Sequence, residues 1–302
     1  MKISIIDIGT QTIKHNIFDV DNNGNKKRIY SKRFSDSDLG GKEIISSLSI
    51  ERSLKILEKC NEVNKLEDVE AQHVIGTDVF RKASNINDFL IPAEKLLGKE
   101  VNIISHEDEA LFLYKGFLPV IPSDLNFTFT NIGGGSIEVV VGNSNEIKSL
   151  EKIPFGVKLL NSKFISDSKI DWEGIEEYLR ENILIRKKAP AIFVTGVVLD
   201  FMMTLRPHLN YNFEDNEISQ HPIKLHINEY EKFVKDLQKV PIPLLKERYS
   251  KDPTYCESVA IGHTVYLEIA KKSGAEWVIP SNNELTDGII YDLFYNFKKE
   301  DM

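Results

Sequence analysis

The sequence predicts an α/β protein made of two similar halves with a cleft between them, and three observations carry that expectation. At 302 residues the chain is long for a single hydrophobic core. A strand, glycine turn, strand, turn, strand pattern occurs twice, once through "DIGTQTIK" at residues 7–14 and again through "NIGGGSIE" at residues 131–138. Each copy is followed by a mixture of helical and strand patterns, as an α/β architecture requires. The expected domains are residues 1–122 and 123–302, with the C-terminal helix 286–302 packing back onto the first.

The elements follow in order. Residues 2–8 form an apolar β-rich run, Gly9 to Thr12 make a turn, "IKHNIFDV" gives a second strand, and "DNNGN" turns the chain into a third around "RIYSKRF". Leu54, Leu57 and Cys60 recur at helical spacing within "SIERSLKILEKCNEVNKL". "AQHVIGTDVFRKA" is a strand entering a loop and helix, "VNIIS" is a short strand, and Ser105 caps the helix "EDEALFLYKGF". "LPVIPSDLN" holds two prolines and no helical period, which marks a linker. The meander then restarts with "NFTFTNI", "SIEVVVG" and "IKSLEKI". Helices in "GIEEYLRENIL" and "INEYEKFVKDLQKV", the strands "AIFVTG" and "EWVIPSN" and the helix "TDGIIYDLFYNF" complete the chain.

A net charge of −8 argues against a general nucleic-acid or membrane binder, because such proteins need an excess of Lys and Arg. A polyanion can bind only at a local basic site. Cys60 and Cys256 lie far apart with no CxxC pair, which supports neither a disulfide framework nor a zinc ribbon and fits a reducing cytoplasm. "MKISIIDIGT" meets Asp7 before a signal-peptide core could form, and no run approaches the length of a membrane span.

A glycine turn after a strand lets backbone N–H groups approach an anion, and the following hydroxyl adds a donor, so such turns hold phosphates. The plainer alternative is a tight hairpin in which glycine only supplies positive φ. Two copies in matching meanders favour a pair of facing turns that grip a phosphate chain from both domains. The phosphate-binding candidates are Gly9, Thr10, Gln11, Thr12, Gly133, Gly134, Gly135 and Ser136. Neither a "GxxxxGK[ST]" loop nor a "GxGxxG" after the first strand is present. Asp7 could bind a cation or cap its own turn, and Glu138 could supply a second carboxylate or face solvent on an alternating strand. Glu107, Asp108 and Glu109 stand in a first helical turn, where the macrodipole favours acids. His208, His221 and His226 match no compact metal spacing.

Taken in order, "DIGTQTIK", "GTDVFRKASN", "SHEDEALFLYKG", "NIGGGSIE", "IPFGVKLL", "VTG" and "NELTDGIIYDLF" resemble the exopolyphosphatase and guanosine pentaphosphate phosphohydrolase family, Ppx/GppA, across nearly the whole chain. The resemblance implies two duplicated actin-like domains, of the ribonuclease H-like superfamily that includes sugar kinases and Hsp70, with an interdomain active-site cleft. It also implies release of terminal phosphate from inorganic polyphosphate or guanosine pentaphosphate, a cytoplasmic setting and a homodimer. Longer members carry an extra C-terminal helical domain. By the family's pattern Glu109 is the catalytic base, Asp7 the acid of the first phosphate loop, Glu138 the Glu closing the second, and Arg81 the arginine of the "GTDVFRKASN" stretch. Mg²⁺ is the implied cofactor, with Asp7, Asn131 and Glu138 as its candidate ligands.

Three departures stand out. Asn131 replaces the usual Asp of the second loop, Gln11 replaces the usual Asn of the first, and "VTGVVLD" has fewer glycines than the usual nucleoside-side loop. An amide at residue 131 offers oxygen without charge, so Mg²⁺ is expected to bind more weakly. The implied chemistry is in-line attack of water, with Glu109 ionised at neutral pH by its place at a helix N-terminus and Gly40 and Gly41 as mobile points for domain closure. A phosphate-polymer or nucleotide binding protein with little turnover is the competing reading, and an ATP-dependent kinase is disfavoured.

Overall fold

Residues 3–8 are all buried, which puts β1 (Lys2–Ile8) at the centre of a sheet, not at its edge. In this computed structural model the described residues are 1–21, 24–35, 39, 43–167, 169–209, 221 and 223–300, with the side chains of 79, 82 and 295–300 left aside. Gly40 and Gly41 lie outside the described residues.

Around β1 stand β2 (Ile13–Val20) and β3 (Lys26–Phe34), both antiparallel. On the other side β4 (Ala71–Gly76) and β5 (Asn102–Ile103) run parallel, giving the order β3-β2-β1-β4-β5. Between these strands come α1 (Ser47–Leu66), α2 (Asp78–Lys82) and α3 (Asn87–Leu97), and α4 (His106–Phe117) follows. The chain then builds a second sheet from β6 (Phe127–Ile132), β7 (Ile137–Gly142) and β8 (Ile147–Ile153). After α5 (Val157–Phe164) come a small ribbon of β9 (Ile165–Ser166) and β10 (Lys169–Ile170), then α6 (Trp172–Asn182), β11 (Ala191–Val194) and α7 (Val198–Leu205). The last elements are β12 (Leu225–His226), α8 (Ile227–Gln238), α9 (Ile242–Arg248), α10 (Cys256–Ser273), β13 (Trp277–Pro280) and α11 (Leu285–Glu300).

The second sheet has the order β12-β13-β11-β6-β7-β8, and its segment β8-β7-β6-β11-β13 repeats the first sheet's pairing directions. The duplication extends to single bonds. Gly9 N–H donates to Thr12 O at 2.9 Å, and Gly133 N–H donates to Ser136 O at the same distance.

Strand parity decides what each sheet face carries. Ile6 and Ile8 pack with α1 and α3, whereas Ile3 and Ile5 join Leu285, Ile289 and Ile290 of α11. In the second sheet Phe127, Phe129 and Val140 pack with Ala110, Leu113 and Phe117 of α4. Asp7 therefore shares a face with α11, and Asn131 and Glu138 share one with α4. The two helices also meet each other: a Cβ on Gly288 would stand 1.6 Å from Phe112 O. On the opposite face of the second sheet, α10 is buried along most of its length among α5 to α9. No helix among the described residues is long and apolar enough to cross a membrane.

Gly288→Ala should cost about 1–3 kcal/mol, because the α4–α11 contact must open to admit a methyl group, and urea denaturation measures it. A second expectation concerns pH. His263 in α10 is fully buried against Tyr230, and burial pushes its pKa down to about 3. The folded state therefore holds the ring neutral while the unfolded chain takes up a proton near pH 6.5. Stability should fall as pH drops below that value, and His263→Gln should flatten the loss by up to about 1.4 kcal/mol per pH unit.

Candidate active site

The two glycine turns converge, so the cleft exists because nothing bulky separates them. A Cβ on Gly134 would lie 3.2 Å from Gln11 Cβ, and one on Gly135 would lie 2.2 Å from Asp78 Oδ2. Neither glycine has positive φ, so they are needed for room and not for a special backbone conformation. Asp7, Gly9 to Thr12, Glu109, Asn131 and Gly133 to Ser136 all line this cleft. Arg81 and Glu138 stand behind that lining and touch it through Glu109 and Ser136.

Glu109 reaches the cleft because the start of α4 is fixed by its cap. Ser105 Oγ accepts from Asp108 N–H at 3.0 Å and Asp108 Oδ2 accepts from Ser105 N–H at 3.1 Å, a reciprocal capping box. That occupies Asp108, leaves Glu107 outside and turns Glu109 inward, 8% exposed. Glu138 is not on a solvent face: parity directs it toward α4, it is 2% exposed, and Ser136 Oγ donates to it at 2.7 Å. Asn131 is its register partner across β6 and β7, and Thr195 Oγ1 donates to the neighbouring Thr130 O at 3.1 Å.

Arg81 is part-buried, with its side chain 20% exposed. Its guanidinium donates to Glu109 Oε1 at 2.6 Å, to His106 Nδ1 at 3.2 Å and to Ile104 O. The expectation that Glu109 stays ionised at neutral pH needs correction. Burial, followed by the nearby charge of Glu138, pushes its pKa up to about 8 against the opposing Arg81. A helix N-terminus contributes too little to offset two carboxylates drawn out of water together.

Asp7 Oδ2 lies 3.6 Å from Lys14 Nζ, which lies 3.2 Å from Glu284 Oε2. Burial raises the Asp7 pKa, and Lys14 only partly offsets it. Burial also works to raise Glu284, but Lys14, Arg28 and Arg33 outweigh it and hold that carboxyl well below the usual carboxylate range. Asp7 Oδ1 is buried with no protein partner, so the donor set has an oxygen to give a cation. A second group of possible ligands, from His106, Glu109 and Glu138, has its donor atoms within 4.8 Å of one another.

Sequence reasoning passed over His106, Lys14 and Glu284. His106 had one available signal, its position three residues before Glu109 on the same helix face. The tie of Lys14 to Glu284 had none, since it joins residues far apart in the chain. Of the three histidines set aside, His226 caps α8, accepting from Asn228 N–H, and His221 stacks on Phe117 with ring centroids 5.8 Å apart.

The model of the Ppx/GppA phosphatase family matches residues 8–238. The chain belongs to the Ppx/GppA phosphatase family. Among its relatives, the guanosine-5'-triphosphate,3'-diphosphate pyrophosphatase of Aeromonas hydrophila is 35% identical over 123 residues, 40% of this chain and 24% of that protein. A bifunctional 3-dehydroquinate synthase/phosphatase of Fusobacterium nucleatum is 24% identical over 95% of this chain and 46% of its own. The chain thus spans between a quarter and a half of the length of these relatives. A crystal structure of an exopolyphosphatase from Cytophaga hutchinsonii superposes with a TM-score of 0.85 at 19% identity, covering 98% of both chains. The Aquifex aeolicus Ppx/GppA member does so with 0.77 at 18%, again over 98% of each. At these identities the structures establish the fold: two mixed sheets with helices, the actin-like α/β arrangement of the Ppx/GppA family.

Gly135→Ala should press the second turn away from Asp78 and cost about 1–3 kcal/mol of stability, as read by urea denaturation.

Proposed function

We propose that this chain releases terminal orthophosphate from inorganic polyphosphate by in-line attack of water. The observation that carries the reading is the carboxylate of Glu109, held beside Glu138 at the junction of the two glycine turns. In this scheme Gly9 to Thr12 and Gly133 to Ser136 cradle neighbouring phosphoryl groups with backbone N–H and hydroxyl donors. Glu109 orients a water molecule and takes its proton as the new P–O bond forms and the bridging P–O bond breaks, the shortened chain leaving with the bridging oxygen. A general base works best with a pKa near the operating pH, and burial moves Glu109 in that direction. Arg81 holds the carboxylate in place at 2.6 Å.

Mg²⁺ is the proposed cofactor, with Asp7, Asn131 and Glu138 as the residues to hold it; the unpartnered Asp7 Oδ1 supports that set. When bound it would offset negative charge on the phosphoryl oxygens. The proposed setting is a cytoplasmic homodimer, and the buried free thiols of Cys60 and Cys256 suit a reducing compartment.

A second reading, hydrolysis of guanosine pentaphosphate at the same centre, is favoured by the resemblance to the Aeromonas guanosine-5'-triphosphate,3'-diphosphate pyrophosphatase. A third, a polyphosphate or nucleotide binding protein of low turnover, is kept by the uncharged Asn131. Phosphate release from both substrates, with and without Mg²⁺, separates the three. Glu109→Gln should lower release by a factor on the order of 10² or more, and unchanged turnover in that variant would remove Glu109 as the base. Asn131→Asp should lower the Mg²⁺ concentration needed for half-maximal rate. Tight polyphosphate binding with no release would leave the binding-protein reading standing.

A further inference from the structure

His106 has no part in the scheme above, yet it is one of three side chains whose donor atoms lie within 4.8 Å of one another. Its Nδ1 lies 3.5 Å from Glu138 Oε1 and 3.9 Å from Glu109 Oε1. Such separations suit an ion bonded to each at about 2.1 Å, the length typical of first-row metals with nitrogen and carboxylate ligands.

The orientation of the ring is a second, independent observation. Arginine only donates, so the Nδ1 that Arg81 meets at 3.2 Å presents its lone pair, and the ring proton stands on Nε2. Nε2 in turn faces Asp78 Oδ1 at 3.6 Å. A carboxylate behind the far nitrogen of a ligating histidine is the arrangement that fixes tautomer and ring direction at metal centres. Asp78 stands at the start of α2, with its Oδ2 against the bare backbone of Gly135.

We infer that His106, Glu109 and Glu138 form a binding site for a first-row transition-metal ion, and that filling it opposes catalysis. This rests on the reading of the cleft as a phosphohydrolase centre with Glu109 as its base. The nitrogen ligand sets the ion's class: imidazole suits zinc, copper, iron or nickel, whereas Mg²⁺ prefers an all-oxygen shell, and Mn²⁺, itself inclined to oxygen, serves as the paramagnetic probe. Inhibition follows from the shared ligand, because a Glu109 lone pair given to the ion is not available to a water proton. Arg81 now lies on both His106 Nδ1 and Glu109 Oε1, so the ion must displace it from both.

The test binds Mn²⁺ to the whole protein without substrate. Pulsed electron paramagnetic resonance should show nitrogen coupling in the wild type, lost in His106→Ala and kept in the distant His226→Ala. Asp78→Asn should weaken Mn²⁺ binding by a factor on the order of 10 while the coupling persists, as expected for loss of an orienting partner. Manganese bound to the wild type without nitrogen coupling would overturn the site, whatever the folding of the variants. In a second arm, Zn²⁺ added at saturating Mg²⁺ should inhibit phosphate release, and His106→Ala, relative to its own rate, should need at least tenfold more. Equal inhibition of both would overturn the inhibitory role. A protein that shows the coupling but releases no phosphate would instead sink the phosphohydrolase reading and leave the metal site intact.

Discussion

Asp78 Oδ2 stands where a Cβ on Gly135 would have to go, 2.2 Å away, and this contact between a carboxylate and a bare backbone governs how near the two halves of the site can come. Every other feature of the cleft is arranged around it. The turn at Gly133 to Ser136 can lie against Thr10 and Gln11 only because Gly134 and Gly135 add no volume. Beside the turns, Glu109 lines the cleft and Glu138 stands behind it, both almost wholly out of water.

That burial has an electrostatic cost, visible in the raised pKa of Glu109 and in the number of partners the acids require. Arg81 serves Glu109, Ser136 serves Glu138, and Lys14 stands between Asp7 and Glu284. Buried carboxylates that are only partly compensated are costly for folding, and proteins keep them where chemistry needs them. The interior of the second half follows the opposite rule. There α10 buries apolar and small side chains around most of its circumference, and its one histidine is kept neutral.

Much of this was legible from sequence. The repeated meander, the capped helix at Ser105 and the order of the glycine turns could be read because hydrophobic alternation, turn residues and caps are local signals. The glycines were read as phosphate-holding turns, with positive φ as the plainer alternative; Gly134 and Gly135 lack positive φ and instead leave room for Gln11 and Asp78. Helix α10 gave no amphipathic stripe because it is enclosed on nearly every side, so periodicity had nothing to report. Glu138 could be read as a solvent-facing strand residue because strand parity says that two faces exist without saying which one a helix will cover. His106, Lys14 and Glu284 escaped for a related reason: their significance lies in partners brought together from distant segments.

The helices α4 and α11 each pack on a sheet built largely from the other half of the chain, and they touch where Gly288 meets Phe112 O and where Asn283 Nδ2 donates to Gly116 O at 2.9 Å. The polypeptide therefore passes between the sheets twice, between β5 and α4 and between β13 and α11. Each sheet's face is thus completed by a helix drawn from the other half, so neither half severed from its neighbour could close its own core.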